Sequence, residues 1–214
     1  MRLERISAGF GIWLTAMIMI MLSAYLPDAG FKFLNLAKPH ILITVILVTL
    51  YSLHTPSRAI LPNRSKKLIN AKLTLSYSII TVIFTHIAYF LTIILLPREI
   101  VEEQLLLINI LLPRDTYELF IHIALTWILF APVEELLFRG AVHTFISSAL
   151  EKRLAILVSS LLFAAAHLNV IQIPVALVVG ATTAGILDKT GNITNSIVVH
   201  ALNNTVALII AFYT

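Results

Sequence analysis

Three short patterns in the second half of the chain set ionisable and amide side chains into otherwise apolar sequence. They are Pro132-Val133-Glu134-Glu135-Leu136-Leu137-Phe138-Arg139-Gly140, Phe163-Ala164-Ala165-Ala166-His167 and His200-Ala201-Leu202-Asn203-Asn204. Read as helix, Glu135 and Arg139 lie four apart on one face with the acid first, the better order for an ion pair. Such a pair serves as a functional brace or simply as glue between helices. Glu134 is turned about 100° from Glu135 and about 140° from Arg139. It cannot share that pair and must find its partners elsewhere, which suits a general base in a dry site. His200 and Asn204 are again four apart, and an imidazole with an amide can supply donors to a developing oxyanion. His167 follows three alanines, small residues that let another helix come close. One carboxylate, two imidazoles and an amide are the parts of a hydrolytic site. His86, His122 and His143 read as structural bundle residues, and the Asn192-Ile193-Thr194 sequon reads as a chance match on the cytoplasmic side.

The elements that must carry these residues are membrane helices. Of the 214 residues, 59% are hydrophobic and 12% charged, against about 25% charged in an average soluble domain. That is too little charge to coat a soluble globule, and too many aliphatics for a disordered chain. With no cysteine, a disulfide scaffold, a thiolate metal site and a cysteine nucleophile are excluded. The net charge of +4 belongs to cytoplasmic loops rather than to nucleic-acid binding. Uncharged intervals run over 6–27, 39–57, 73–97, 119–133, 154–187 and 190–214. With about 20 apolar residues needed per crossing, 6–27, 73–97 and 190–214 each hold one span. Another covers the second interval and begins before Pro39. The 154–187 stretch divides into two short spans near 169–174. The 119–150 stretch is apolar with three embedded charges, and 101–112 reads as an interfacial helix. The fold class expected is all-α, a polytopic membrane helix bundle of about seven transmembrane helices. Residues 1–118 form N-terminal helices and loops, and 119–214 the motif-bearing half of one domain.

Loop charges orient the bundle. The 54–72 loop holds Arg58, Arg64, Lys66, Lys67 and Lys72 without an acid, so it is expected inside, as are Arg2, Arg5, Lys152 and Arg153. The acid-rich 98–118 loop is expected outside. The N-terminus is then cytoplasmic, and the location an integral membrane one, the plasma membrane of a prokaryote. On this topology His167 lies about 20 Å above Lys152 and His200 only about 9 Å above Thr194 at ~1.5 Å per residue. Tilt, or a long oblique helix over 118–150, is needed to bring them level.

The three motifs resemble the signature of the CPBP intramembrane proteases, a family taking in the type II CAAX prenyl endopeptidases and bacteriocin-processing and immunity proteins. That signature, E-E-x-x-x-R, F-x-x-x-H and H-x-x-x-N, is similar to Glu134-Glu135-x-x-x-Arg139, Phe163-x-x-x-His167 and His200-x-x-x-Asn204, in order, over roughly 119–212. The resemblance implies a peptide-bond hydrolase within the bilayer, acting on a membrane-associated protein or peptide. Glu134 would activate a water with His167, His200 and Asn204 would hold the oxyanion, and Glu135, Arg139 and Phe163 would brace the site. The family name often includes "metalloprotease". No cofactor is the expectation, with zinc on Glu134, His167 and His200 as the alternative. The alternative function is a non-catalytic immunity factor, scaffold or subunit of a membrane complex that keeps the motifs. Membrane lipid and a peptide or protein substrate are the expected partners, with no nucleic acid.

Overall fold

The computed structural model describes residues 2–26, 32–53 and 69–214. Arg58, Arg64, Lys66 and Lys67, which carry the cytoplasmic assignment of the 54–72 loop, lie outside the described residues. The described residues are 87% helix with no strand among them, as an apolar chain must be when its own backbone supplies every hydrogen bond. The helices are α1 (Arg2–Ser23), α2 (Lys32–Leu53), α3 (Ala71–Leu95), α4 (Arg98–Leu111), α5 (Thr116–Ser147), α6 (Lys152–Ala165), α7 (Gln172–Thr190) and α8 (Ile193–Tyr213).

The protein is a membrane helical bundle. Five described helices, all but α2, α4 and α6, have the length and apolar character to cross a bilayer. The expectation of about seven crossings is not confirmed by these five. The two additional stretches became α2, with Lys32, Lys38 and Pro39 in its first half, and α6, which has only 14 residues. At ~1.5 Å per residue α6 spans about 21 Å, short of a hydrocarbon core about 30 Å thick. The predicted interfacial segment became α4. Its Gln104 accepts the Val170 N–H at 3.2 Å through the side chain and the Asn169 amide at 3.2 Å through its carbonyl. The predicted break near 169–174 is the α6–α7 loop, where Asn169 Oδ1 accepts from Ile171 and Gln172 N–H groups.

Burial runs opposite to that of a soluble protein. The four buried residues of α3 are Thr74, Ser78, Thr81 and Thr85, while Ile79, Ile80, Ile83, Phe84 and Ile87 are exposed. Lipid tails are as apolar as isoleucine, so the inward stripe consists of hydroxyls that bond within the bundle. Thr74 donates to Asn195 Oδ1 at 2.8 Å and Thr85 to Asn203 Oδ1 at 2.8 Å, tying α3 to α8. Helices α6 and α7 touch through Gly180, where a Cβ would stand 3.0 Å from Cα and Cβ of Ser160.

Helix α5 spans 32 residues, about 48 Å at ~1.5 Å per residue. It is a long helix over most of the 118–150 stretch. Two wide i→i+5 turns interrupt it, Thr126–Phe130 and Leu136–His143. The first ends just before Pro132, whose missing N–H breaks the regular ladder. In the second, Thr144 Oγ1 donates back five residues to the Arg139 carbonyl at 3.0 Å. The intervening turn, Ala131–Glu135, presents both glutamates. The core closes over this segment: Val133, Leu137 and Phe138 pack with Ala16 of α1, Ile43 of α2, Phe163 and Ala164 of α6, and Ala176 and Val179 of α7.

Candidate active site

The pair expected within α5 forms. Arg139 Nε lies 3.1 Å from Glu135 Oε2, with the side chains 1% and 0% exposed. Helix α7 completes the shell around the guanidinium. Nε donates to Thr183 Oγ1 at 2.8 Å, and Nη2 donates to the same hydroxyl and, at 3.4 Å, to the Gly180 carbonyl. The guanidinium also stacks 4.5 Å from the Phe163 ring, so the motif phenylalanine is a floor for the arginine. Close approach at Gly180 is what brings that carbonyl within reach.

Glu135 does more than brace Arg139. Its Oε1 accepts from His200 Nδ1 at 2.8 Å, a contact that helical spacing within α5 could not show. The bond fixes which imidazole nitrogen faces inward: Nε2 points to the other glutamate, 3.8 Å from Glu134 Oε2. Phe163 packs edge-on against both motif histidines, 4.8 Å from the His167 ring and 5.7 Å from the His200 ring. The two rings thus meet around one phenylalanine despite their different heights along α6 and α8. His167 holds the Phe163 carbonyl through Nδ1 at 3.0 Å and lies within electrostatic reach of Glu134, His200 and Arg139.

Glu134 finds a partner absent from the three motifs. His40, on α2 directly after Pro39, places Nε2 2.9 Å from Glu134 Oε1. The sequence offered no sign of this role beyond an imidazole near the end of an apolar run. Oε2 of Glu134 is buried with no hydrogen-bond partner. The structure therefore gathers the buried Glu135, Arg139 and His200 and the half-buried Glu134 and His167 in one polar cluster, and adds the half-buried His40.

Asn204 is half-buried, and Asn203 Nδ2 donates to its Oδ1 at 3.4 Å. Asn203 is itself buried and accepts from Thr85. Asn203 thus links Thr85 of α3 to Asn204. The histidines read as structural behave so in two cases. His86 bonds its own helix at the Val82 carbonyl, and His143 sits between Ser159 and Asp188. Asn192 of the sequon caps α8, accepting from Thr194 N–H at 2.9 Å.

Among the described residues, no group of three His, Asp or Glu side chains is arranged to hold a metal ion. The two imidazole nitrogens nearest Glu134 address opposite carboxylate oxygens, His40 at Oε1 and His200 at Oε2. Zinc needs its ligands converging on one point at about 2.0–2.2 Å. The donor set as placed does not fit the zinc alternative.

A polytopic helical bundle with an acid–imidazole cluster set between its helices is the class that fold and site define. Residues 116–206 match the family model of the Rce1-like type II CAAX prenyl endopeptidases, and over that stretch the chain is similar to this family of CAAX-type proteases. The match spans α5 through most of α8 and so contains all three motifs, while His40 lies outside it. No curated protein and no solved structure matches the chain.

Proposed function

We propose that the chain is an intramembrane endopeptidase that cuts a peptide bond in a membrane-associated protein or peptide by glutamate-activated water. Glu134, with His167, takes a proton from water as the water oxygen bonds to the scissile carbonyl carbon. His200 and Asn204 hold the oxyanion. The C–N bond then breaks and the proton on Glu134 passes to the leaving amine. The observation that carries this reading is the unequal environment of the Glu134 oxygens: Oε1 is held by His40, whereas Oε2 is buried and unpartnered. A general base needs one oxygen in place and one free to take the proton. Asn204 supports the oxyanion role, because its oxygen faces Asn203 and its amide nitrogen is left as the donor. No step requires a metal. The membrane proposed is a prokaryotic plasma membrane with the N-terminus cytoplasmic, supported by the basic residues Arg2, Arg5, Lys152 and Arg153.

The test is cleavage of an internally quenched prenylated peptide ending in a CAAX sequence by the full chain in proteoliposomes. Wild type should cleave it, chelators should change the rate little, and Asn204→Ala should slow turnover about 10²–10³-fold, the effect of losing one oxyanion donor. Activity that vanishes with chelator, returns with zinc and survives Asn204→Ala rejects this mechanism.

A further inference from the structure

Helix α2 meets α5 along a seam that leads to Glu134 from the α4–α5 turn. On α5, Glu118, His122, Phe130 and Glu134 all meet α2 through side-chain contacts. On α2, Lys32, Leu36 and His40 recur every four residues, a spacing that keeps them on one side. Ion pairs close both ends of the seam: Lys32 Nζ to Glu118 Oε2 at 2.9 Å and His40 Nε2 to Glu134 Oε1 at 2.9 Å. The first end is aqueous in character. Arg114 and Asp115 are exposed there, Glu118 accepts from the Arg114 N–H, and Lys32 also donates to the Leu112 carbonyl. Between the ends the rings interleave. Phe33 packs edge-on against His122, His122 against Phe130, and Phe130 lies 4.4 Å from the His40 ring.

Two polar atoms are out of place in this aromatic stretch. His122 Nδ1 and His40 Nδ1 are both buried and have no hydrogen-bond partner. An imidazole nitrogen is a donor or an acceptor in every tautomer, and buried polar atoms are normally satisfied by protein or by bound water. One such atom is an exception. Two in succession, flanking Phe130 and ending on the catalytic-motif carboxylate, describe a route. We infer that the α2–α5 seam is a hydrated path along which water and protons pass between the α4–α5 turn and Glu134, with His122 and His40 as its polar stations. A site that consumes one water per bond cut, and whose walls are otherwise lipid-facing helices, needs such an entry. The inference rests on the hydrolase reading for its purpose but not for its test.

The chain contains no cysteine, so single-cysteine variants report on water directly. Only the thiolate reacts with a thiosulfonate, and a thiol in apolar surroundings stays protonated. Arg114→Cys, His122→Cys and His40→Cys would be labelled in proteoliposomes with a membrane-impermeant cationic methanethiosulfonate. Ile128→Cys, at a 77% exposed lipid-facing position of α5, is the reference. His122→Cys and His40→Cys should react at least about tenfold faster than Ile128→Cys, the effect of one unit of thiol pKa. His122 makes no side-chain hydrogen bond among the described residues, so its variant should fold even if the His40 variant does not. A His122→Cys protein that labels no faster than Ile128→Cys overturns the path, as does an unlabelled Arg114→Cys. Rapid labelling of His122→Cys beside a folded but inert His40→Cys overturns it too, because the route then stops short of Glu134. Labelled stations in a chain that cleaves no peptide would instead reject the hydrolase reading and leave the path standing.

Discussion

Adjacent glutamates in one helical turn perform different work because their four oxygens face different groups. Glu135 is fully buried, with Oε2 3.1 Å from Arg139 Nε and Oε1 2.8 Å from His200 Nδ1, whereas Glu134 has Oε1 held by His40 and Oε2 no nearer than 3.8 Å to His200 Nε2. Glu134→Gln is a neutral isostere and should abolish cleavage while the detergent-solubilised protein keeps its melting temperature. Glu135→Gln leaves Arg139 buried without its counter-charge and takes the acceptor from His200. Breaking a buried pair costs about 3–5 kcal/mol, so this variant should melt well below wild type. Equal melting temperatures for the two would contradict the assignment. Asn203→Ala should have a measurable cost as well. It removes one acceptor of the buried Thr85 hydroxyl, which keeps the Thr81 carbonyl, at about 0.5–1.5 kcal/mol for one lost hydrogen bond, and frees the Asn204 oxygen. A drop in both melting temperature and turnover is expected, with turnover falling less than in Asn204→Ala.

At the scale of elements, the site depends on how closely α6 and α7 approach and on where α5 departs from regular helix. Gly180 permits the approach, and its carbonyl sits beside the Arg139 guanidinium. Gly180→Val should force the helices apart, at about 1–3 kcal/mol for overpacking, and lower cleavage with stability. Gly11→Val is the matched comparison, since a Cβ at Gly11 meets nothing within 4 Å, and it should be nearly silent in thermal unfolding. The wide turns of α5 change which residues share a face. Such turns are rare in helices and concentrate at functional sites. Here they bracket the Ala131–Glu135 turn that carries both carboxylates.

For the whole molecule, the solvent is lipid, and that inverts the usual cost of surface substitutions. Ile83 is 51% exposed on α3, a position that in water would accept arginine freely. In the bilayer a central charge costs about 2.5–3.5 kcal/mol on insertion scales. Ile83→Arg should reduce the membrane-inserted fraction, measured by alkaline extraction of membranes, whereas Ile83→Leu should not. Retention of the arginine variant at wild-type level would contradict the outward placement of this face.

The residue types and spacings of 119–212 determined much about this protein without a structure. Low charge and long apolar runs dictate an all-helical membrane bundle, because backbone groups in hydrocarbon have no other means of satisfaction. Spacing of four within one helix dictates the Glu135–Arg139 pair, since both ends of that contact lie on the same element. Contacts between elements carry no such periodicity. His40 is 94 residues from Glu134 in the chain, and nothing local distinguishes it from the structural His86. Likewise, the Glu135–His200 bond and the Asn203 link to Thr85 each join separate helices. The length of α6 also escaped the sequence. Hydropathy measures how apolar a stretch is, and α6 is apolar enough yet only 14 residues long once the chain must turn at His167. Which carboxylate oxygen is held and which is free is decided by α2 packing on α5, a matter of tertiary geometry alone.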